Sequence, residues 1–280
     1  MRRKLKTAIK TIILNIFFII CCFIALIPVL YAFSVSLNAQ NSLVGSNFSF
    51  IPAEFTLHNY KAVFLDKPVL LWMKNSLILS VSTLIIALGV SIPAAYAFSR
   101  YRFRGRKAVL YVLLLLNAFP TVLSMFAIYR LLSPMGLVNS KLGLVIVYTG
   151  TMAIFGLWNM KGYFDTIPGG IEEAAKIDGA NDWQLTTKIV LPLAKPSVIV
   201  TAVMILIYVW NEYIYATTFM TGGNQYTLAA GLYSLQATET SGNWPIFAAA
   251  SLVVSVPVLV IFLLVQKHMV SGLTVGGMKG

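Results

Sequence analysis

Charge is scarce in this chain: 11% of its 280 residues are Asp, Glu, Lys or Arg, against 58% hydrophobic residues. A water-soluble domain of this size cannot cover its surface with so few charges, so that class is excluded. Acids are fewest, 9 against 21 basic residues. Cysteine and histidine number two each. Cys21 and Cys22 are neighbours inside an apolar run, where adjacent helical side chains point about 100° apart, so they read as apolar filling with no disulfide or metal role. His58 and His268 lie too far apart in the chain to suggest a ligand pair and suit membrane interfaces. No nucleophile constellation or metal cluster is present. The glycine-rich ending, Ser271 to Gly280, is not a phosphate-binding loop: Gly272 and Gly277 have the right separation, but Met278 stands where Lys is needed and no strand precedes it. The reading is therefore not an enzyme and without a cofactor.

What the chain has instead is long apolar runs, at 11–37, 75–99, 108–129, 142–160, 196–218 and 245–266, each of 19 residues or more. About 20 helical residues cross a hydrocarbon core of about 30 Å, whereas barrel strands would be near ten residues and alternate in polarity. The expectation is an all-α membrane protein with six transmembrane helices, forming a single domain over 1–280. The first run is too long for a cleaved signal and lacks a small-residue cleavage site, so it stands as a span. With the N-terminus inside, 16 of the 21 basic residues fall on the inner side: the N-terminal arm, Arg100 to Lys107, Lys161 to Lys195, and Lys267 and Lys279. Lys61, Lys67, Lys74, Arg130 and Lys141 fall outside. This bias predicts a multi-pass protein of the plasma or inner membrane with both termini and the 161–195 loop in the cytoplasm. The net charge of +12 is thus a topology signal, and no nucleic-acid partner is expected.

The 165–196 segment is the one long polar island rich in both signs. Pro168 can open a helix because it has no N–H to leave unpaired, Glu172 and Glu173 suit its first turn, and Gly179 suits a left-handed end. The result is a rod of roughly 12 Å over 171–178. Ile171, Ala174, Ala175 and Asp178 share one face, an aliphatic anchor beside two methyl groups that a partner's groove could approach closely. Asn181 and Asp182 signal a second helix carrying Trp183, Leu185, Ile189 and Val190, which Pro192 and Pro196 are expected to stop. An ordinary surface hairpin of helices fits these residues equally well.

Within the runs, Ala87, Ser91, Ala95 and Ser99 recur every four residues, a ladder that lets another helix pack closely; Gly143, Gly150 and Gly156 do the same in the fourth. Pro28, Pro93, Pro120 and Pro257 interrupt spans, either as packing kinks or beside a lined cavity. Glu212 is the one acid inside a run, in the stretch 208–213 with Asn211, about 24 Å from the start near Pro196. Intramembrane carboxylates face a cavity or a partner, so Glu212, Asn211 and, before Pro120, Asn117 are substrate-path candidates; a structural pair or an interfacial carboxylate is the other reading of Glu212. The segment 38–74 is expected to form an irregular or short-helical cap of open role.

Glu173-Ala174-Ala175, three residues, Gly179, nine residues, then Ile189-Val190-Leu191-Pro192 resembles the EAA loop of permease subunits of binding-protein-dependent ABC importers. The resemblance implies a type I importer fold and a helix that docks on an ATPase subunit, a role it gives to Ile171, Glu173, Ala174, Ala175, Gly179, Ile189, Leu191 and Pro192. The Tyr226 to Gly231 stretch and the glycine-rich ending, read as a mobile tail or an ATPase contact, are similar to the shorter, six-span partner of maltose-type carbohydrate permease pairs. That implies a second permease subunit, two ATPase subunits, an extracytoplasmic solute-binding protein, surrounding lipid and a sugar cargo, maltodextrin or a similar oligosaccharide first. Another sugar, glycerol phosphate or a polyamine, or a non-transporting membrane sensor or assembly protein, are the alternatives.

Overall fold

The computed structural model describes residues 2–40, 50–52, 54–236 and 243–276, with side chains over 9–267 of these. Gly277 to Gly280 lie outside the described residues, as do 41–49, so the open reading of the glycine-rich ending is untouched there; up to Gly276 the chain is helical. The described residues are helical apart from turns and one isolated bridge, Asn38 to Phe55. Four helices are long and apolar enough to cross a membrane, and two sharply bent helix pairs raise the number to six if each is one span.

The chain divides into two compact units, Met1–Val69 with Leu232–Ser255, and Leu70–Gly231 with Val256–Gly280. In the first, α1 (Arg2–Ser36) exposes every side chain from Ile9 to Leu30, as a helix whose solvent is lipid does. Its end is held by α2 (His58–Leu65): the Asn59 amide donates to the carbonyls of Ser36 and Asn38 at 3.0 and 2.8 Å. In its described residues the expected cap over 38–74 is therefore a short helix and an anchored turn. It ends earlier than expected, because α3 (Val69–Arg100) already contains Lys74.

In the second unit α3, α6 (Lys141–Phe164) and α10 (Lys195–Asn211) pack through small residues. Ala87, Ser91 and Ala95 are fully buried. A side chain on Gly156 would come within 2.8 Å of Ser91 Oγ and 3.3 Å of Thr201 Cγ2, so this glycine is where the three helices meet. Gly150, by contrast, has open space beside it. Pro93 and Pro257 lie inside continuous helices, the latter in the last one, Trp244–Gly276.

Two apolar runs are not straight spans. The 108–129 run is α4 (Arg106–Ala118) and α5 (Thr121–Leu132), bent by 99° at Phe119–Pro120. Pro120 supplies no N–H to continue α4, and the residue before it is pushed to extended geometry. The 196–218 run ends as a helix at Asn211; Glu212 is extended, and α11 (Ile214–Phe219) resumes after it.

Candidate functional site

The polar island folds as α7 (Gly169–Ile177), with Pro168 at its N-cap and Gly179 at φ +88°, followed by α8 (Asp182–Gln184), a π-helical turn over Leu185–Val190 and α9 (Leu191–Leu193). Asn181 and Gln184 form a reciprocal capping box. Pro192 does not stop this second helix, contrary to expectation. It sits in the first turn of α9, and the widened π turn just before it accommodates the N–H it lacks. Pro196 lies at the start of α10, where the path bends by 80°.

Glu172 is the pivot of this region. It is buried on the inner side of α7, accepting from Arg100 Nε at 2.6 Å and from the Tyr96 hydroxyl at 3.1 Å. Arg100 also donates to the Ile167 carbonyl at 3.2 Å. Ser99 and Lys161 donate to the two Asp165 oxygens at 2.7 and 2.6 Å, and the Tyr101 hydroxyl donates to Asp182 at 2.9 Å. The last turn of α3 is thus stitched to the segment leading into α7 and to its first turn, and Tyr101, just after α3, to the start of α8. Burial pushes the Asp165 carboxyl up, but the Lys161 and Ser99 hydrogen bonds outweigh it and leave the group below its ordinary value. The hydrogen bond to Asp182, with burial second, raises the Tyr101 phenol.

The outer face of α7 faces away from the bundle. Ile171, Glu173 and Ala174 are exposed and Ala175 is half-buried, while Gly179 has no atom near the position a side chain would take. Ile177 is 87% and Trp183 75% exposed, which makes them the most apolar projections of the hairpin. Neither was among the expected site residues; a large apolar residue at the end of a polar island was the available signal. Ile189 and Leu191 are half-buried and Pro192 is exposed. Leu191 packs against a core of Tyr96, Phe164, Val190 and Ala194.

A second site lies at the two chain breaks. The Glu212 carboxylate is buried and accepts from the Tyr148 hydroxyl at 2.6 Å and from the N–H groups of Tyr215 and Ala216 at 2.9 and 3.2 Å. It therefore caps α11 and ties the break to α6. Tyr215 in turn meets Ser124 Oγ of α5 at 3.1 Å and lines a groove of about 320 Å³ with Asn117, Phe119, Thr121, Gly150 and Thr151. Of the three substrate-path candidates only Asn117 faces this groove, its amide donating to the Thr151 carbonyl at 3.3 Å. Asn211 is exposed and bonds back to the Ile207 carbonyl, and Glu212 reaches the groove through Tyr215. Tyr148 could not be linked to Glu212 from sequence, since it is 64 positions away, whereas Tyr215, three positions on, is bonded through its backbone N–H.

Residues 86–273 match the model of the family described as binding-protein-dependent transport system inner membrane component. The chain is 37% identical to the galactooligosaccharides transport system permease protein GanQ of Bacillus subtilis (strain 168), over 94% of both chains. It is 35% identical to the maltose/maltodextrin transport system permease protein MalG of Yersinia pestis, over 96% of this chain and 94% of that one. Among solved structures, a chain of a bacterial ABC transporter involved in the import of the acidic polysaccharide alginate superposes with a TM-score of 0.78 at 26% identity, covering 93% of this chain and 96% of that one. A chain of the MetNI methionine ABC transporter shares the fold, with a TM-score of 0.55 at 15% identity over 78% of this chain and 99% of its own.

Proposed function

The chain belongs to the family of binding-protein-dependent transport system inner membrane components, and on that premise we propose that it is a permease subunit of an ATP-driven importer of neutral oligosaccharide, maltodextrin first. The carrying observation is its likeness along nearly the whole length to permeases named for galactooligosaccharides and for maltose/maltodextrin. The groove at the chain breaks supports a neutral cargo. Its lining sets amide, hydroxyl and phenol groups and Phe119 among aliphatic side chains such as Leu116, Ile128 and Ile146, with no charged side chain, which suits the mixed polar and apolar faces of sugar rings and gives a polyamine, glycerol phosphate or an acidic sugar no counter-charge.

In this reading a second permease completes the path, and two ATPase subunits and an extracytoplasmic binding protein complete the importer. Both termini and the 161–195 loop are cytoplasmic. The outer face of α7, with Ile171, Glu173, Ala174, Ala175 and Gly179, docks on the ATPase, and Ile189, Leu191 and Pro192 hold the supporting helix. Closure of the ATPase dimer pushes α7, and the Arg100–Glu172 contact passes the push to α3 as a rigid displacement. Asn117, Thr121, Ser124 and Tyr215 contact sugar, while Glu212 and Asn211 hold the break beside them. Uptake of labelled maltodextrin, galactooligosaccharide, glycerol phosphate and spermidine by cells with and without the gene tests the proposal. Loss of the first two alone is expected; loss of only a charged solute, or of none, refutes it.

A further inference from the structure

A cavity of about 610 Å³ opens where the segment after α3 turns into α4, lined by Arg102, Phe103, Arg106, Lys107, Leu110 and Lys161 among others. Four cations converge there. Asp165 is paired with Lys161 at 2.6 Å and also interacts with Arg106, so one acid faces four cations and a surplus of positive charge remains. Arg102 and Lys107 are exposed and make no ion pair among the described residues, and Arg106, which also lines the cavity, donates to the Tyr101 carbonyl at 3.3 Å. The first turn of α4 adds backbone N–H groups: its N-cap is Gly105, which has no side chain to cap them.

The position relative to the apolar surface narrows the occupant. From Ala108 onward α4 carries no charge, and Val112, Leu115 and Leu116 are exposed along it at 53, 70 and 62%. A cationic cavity at the foot of a lipid-length apolar face matches a molecule with an anionic head and two apolar tails. A basic cluster serving orientation alone needs neither the cavity nor the adjoining exposed apolar face. We infer that residues 102–110 with Lys161 form a binding site for the phosphate headgroup of an anionic phospholipid, its acyl chains lying along the exposed face of α4. A water-soluble phosphate would use the same cations but gain nothing from that face.

The test uses the assembled importer in nanodiscs of phosphatidylcholine doped with phosphatidylglycerol, with bound lipid counted by native mass spectrometry after detergent release. The unaltered complex is expected to retain phosphatidylglycerol over phosphatidylcholine. Arg102→Gln with Lys107→Gln should reduce retention roughly thirtyfold, since each cation near an anionic surface contributes a factor of about five. Arg102→Lys with Lys107→Arg, and Arg130→Gln on α5, should leave it unchanged. Subunit assembly is read from the same spectra; if the double variant does not assemble, the preference of the unaltered complex and the single Arg102→Gln variant decide. Equal retention of both lipids by the unaltered complex, or an undiminished preference for phosphatidylglycerol in the neutralised variants, overturns the inference. Loss of phosphatidylglycerol to millimolar inorganic phosphate also overturns it, by showing a site for the free anion.

Discussion

Arg100 Nε lies 2.6 Å from Glu172 Oε1, and the two side chains are 18% and 9% exposed. The last residue of a membrane-length helix is thereby joined to the first turn of the short helix proposed to dock on the ATPase. Such a pair transmits force better than a surface ion pair, because both groups are largely shielded and each has a second partner: Tyr96 for the acid and the Ile167 carbonyl for the base.

Removing one member leaves the other charge shielded and unpaired, at a cost of about 3 kcal/mol. Glu172→Arg and Arg100→Glu alone are expected to abolish maltodextrin uptake and to uncouple ATP hydrolysis from the loaded binding protein. The double exchange should restore much of both. ATPase assays on reconstituted complexes with and without binding protein check this; full coupling in either single variant would show that α7 moves α3 by another route.

Gly179 and Ala174 separate fold from docking. At φ +88° any side chain on Gly179 costs about 1 kcal/mol, but within this chain nothing obstructs it. Gly179→Ala should therefore be mild, whereas Gly179→Phe and Ala174→Glu should lose ATPase subunits on purification while still inserting in the membrane. Normal uptake by the latter two would make α7 an ordinary surface helix.

Glu212→Ala leaves the Tyr148 hydroxyl and two buried N–H groups without their acceptor, a loss of about 3 kcal/mol or more. The expected outcome is a lower melting temperature of the purified complex with sugar preference unchanged, and a smaller effect for Glu212→Gln. A variant that melts normally but changes which sugar is carried would place Glu212 in the path itself.

Two glycines of α6 should behave oppositely. Gly156→Leu drives a side chain into Ser91 and Thr201 and should prevent stable insertion, since overpacking a close-packed junction costs about 1–3 kcal/mol or more. Gly150→Ala meets nothing, so folding should survive; because Gly150 lines the groove, sugar uptake should fall through a raised KM.

The Asp165 carboxyl is held below its ordinary value of 3.8, so it favours the folded loop at neutral pH. For a depressed acid the contribution is present above 3.8 and is lost as pH falls through the lowered value. Acidification below 3.8 should loosen residues 161–182, measured as faster cleavage of that loop by pepsin, and Asp165→Asn should show the same rate at milder pH. A pH-independent rate would show that the Lys161 and Ser99 contacts do not hold the loop.

The sequence by itself determined the class, because membrane length and charge asymmetry are local, additive properties: apolar runs, basic flanks and the spacing from Glu173 to Pro192 are all read along the chain. It also determined α7, since Pro168 and Gly179 act on their own backbone. The tertiary structure decided what those residues meet. That Glu172 turns inward to Arg100 while its neighbour Glu173 turns outward depends on how α7 is set against α3, 72 positions earlier. That Glu212 closes a helix break with Tyr148, leaving Asn117 to face the groove, depends on the bends at Pro120 and Glu212. A proline announces a bend but not its angle, and a buried carboxylate must find partners without the sequence naming them.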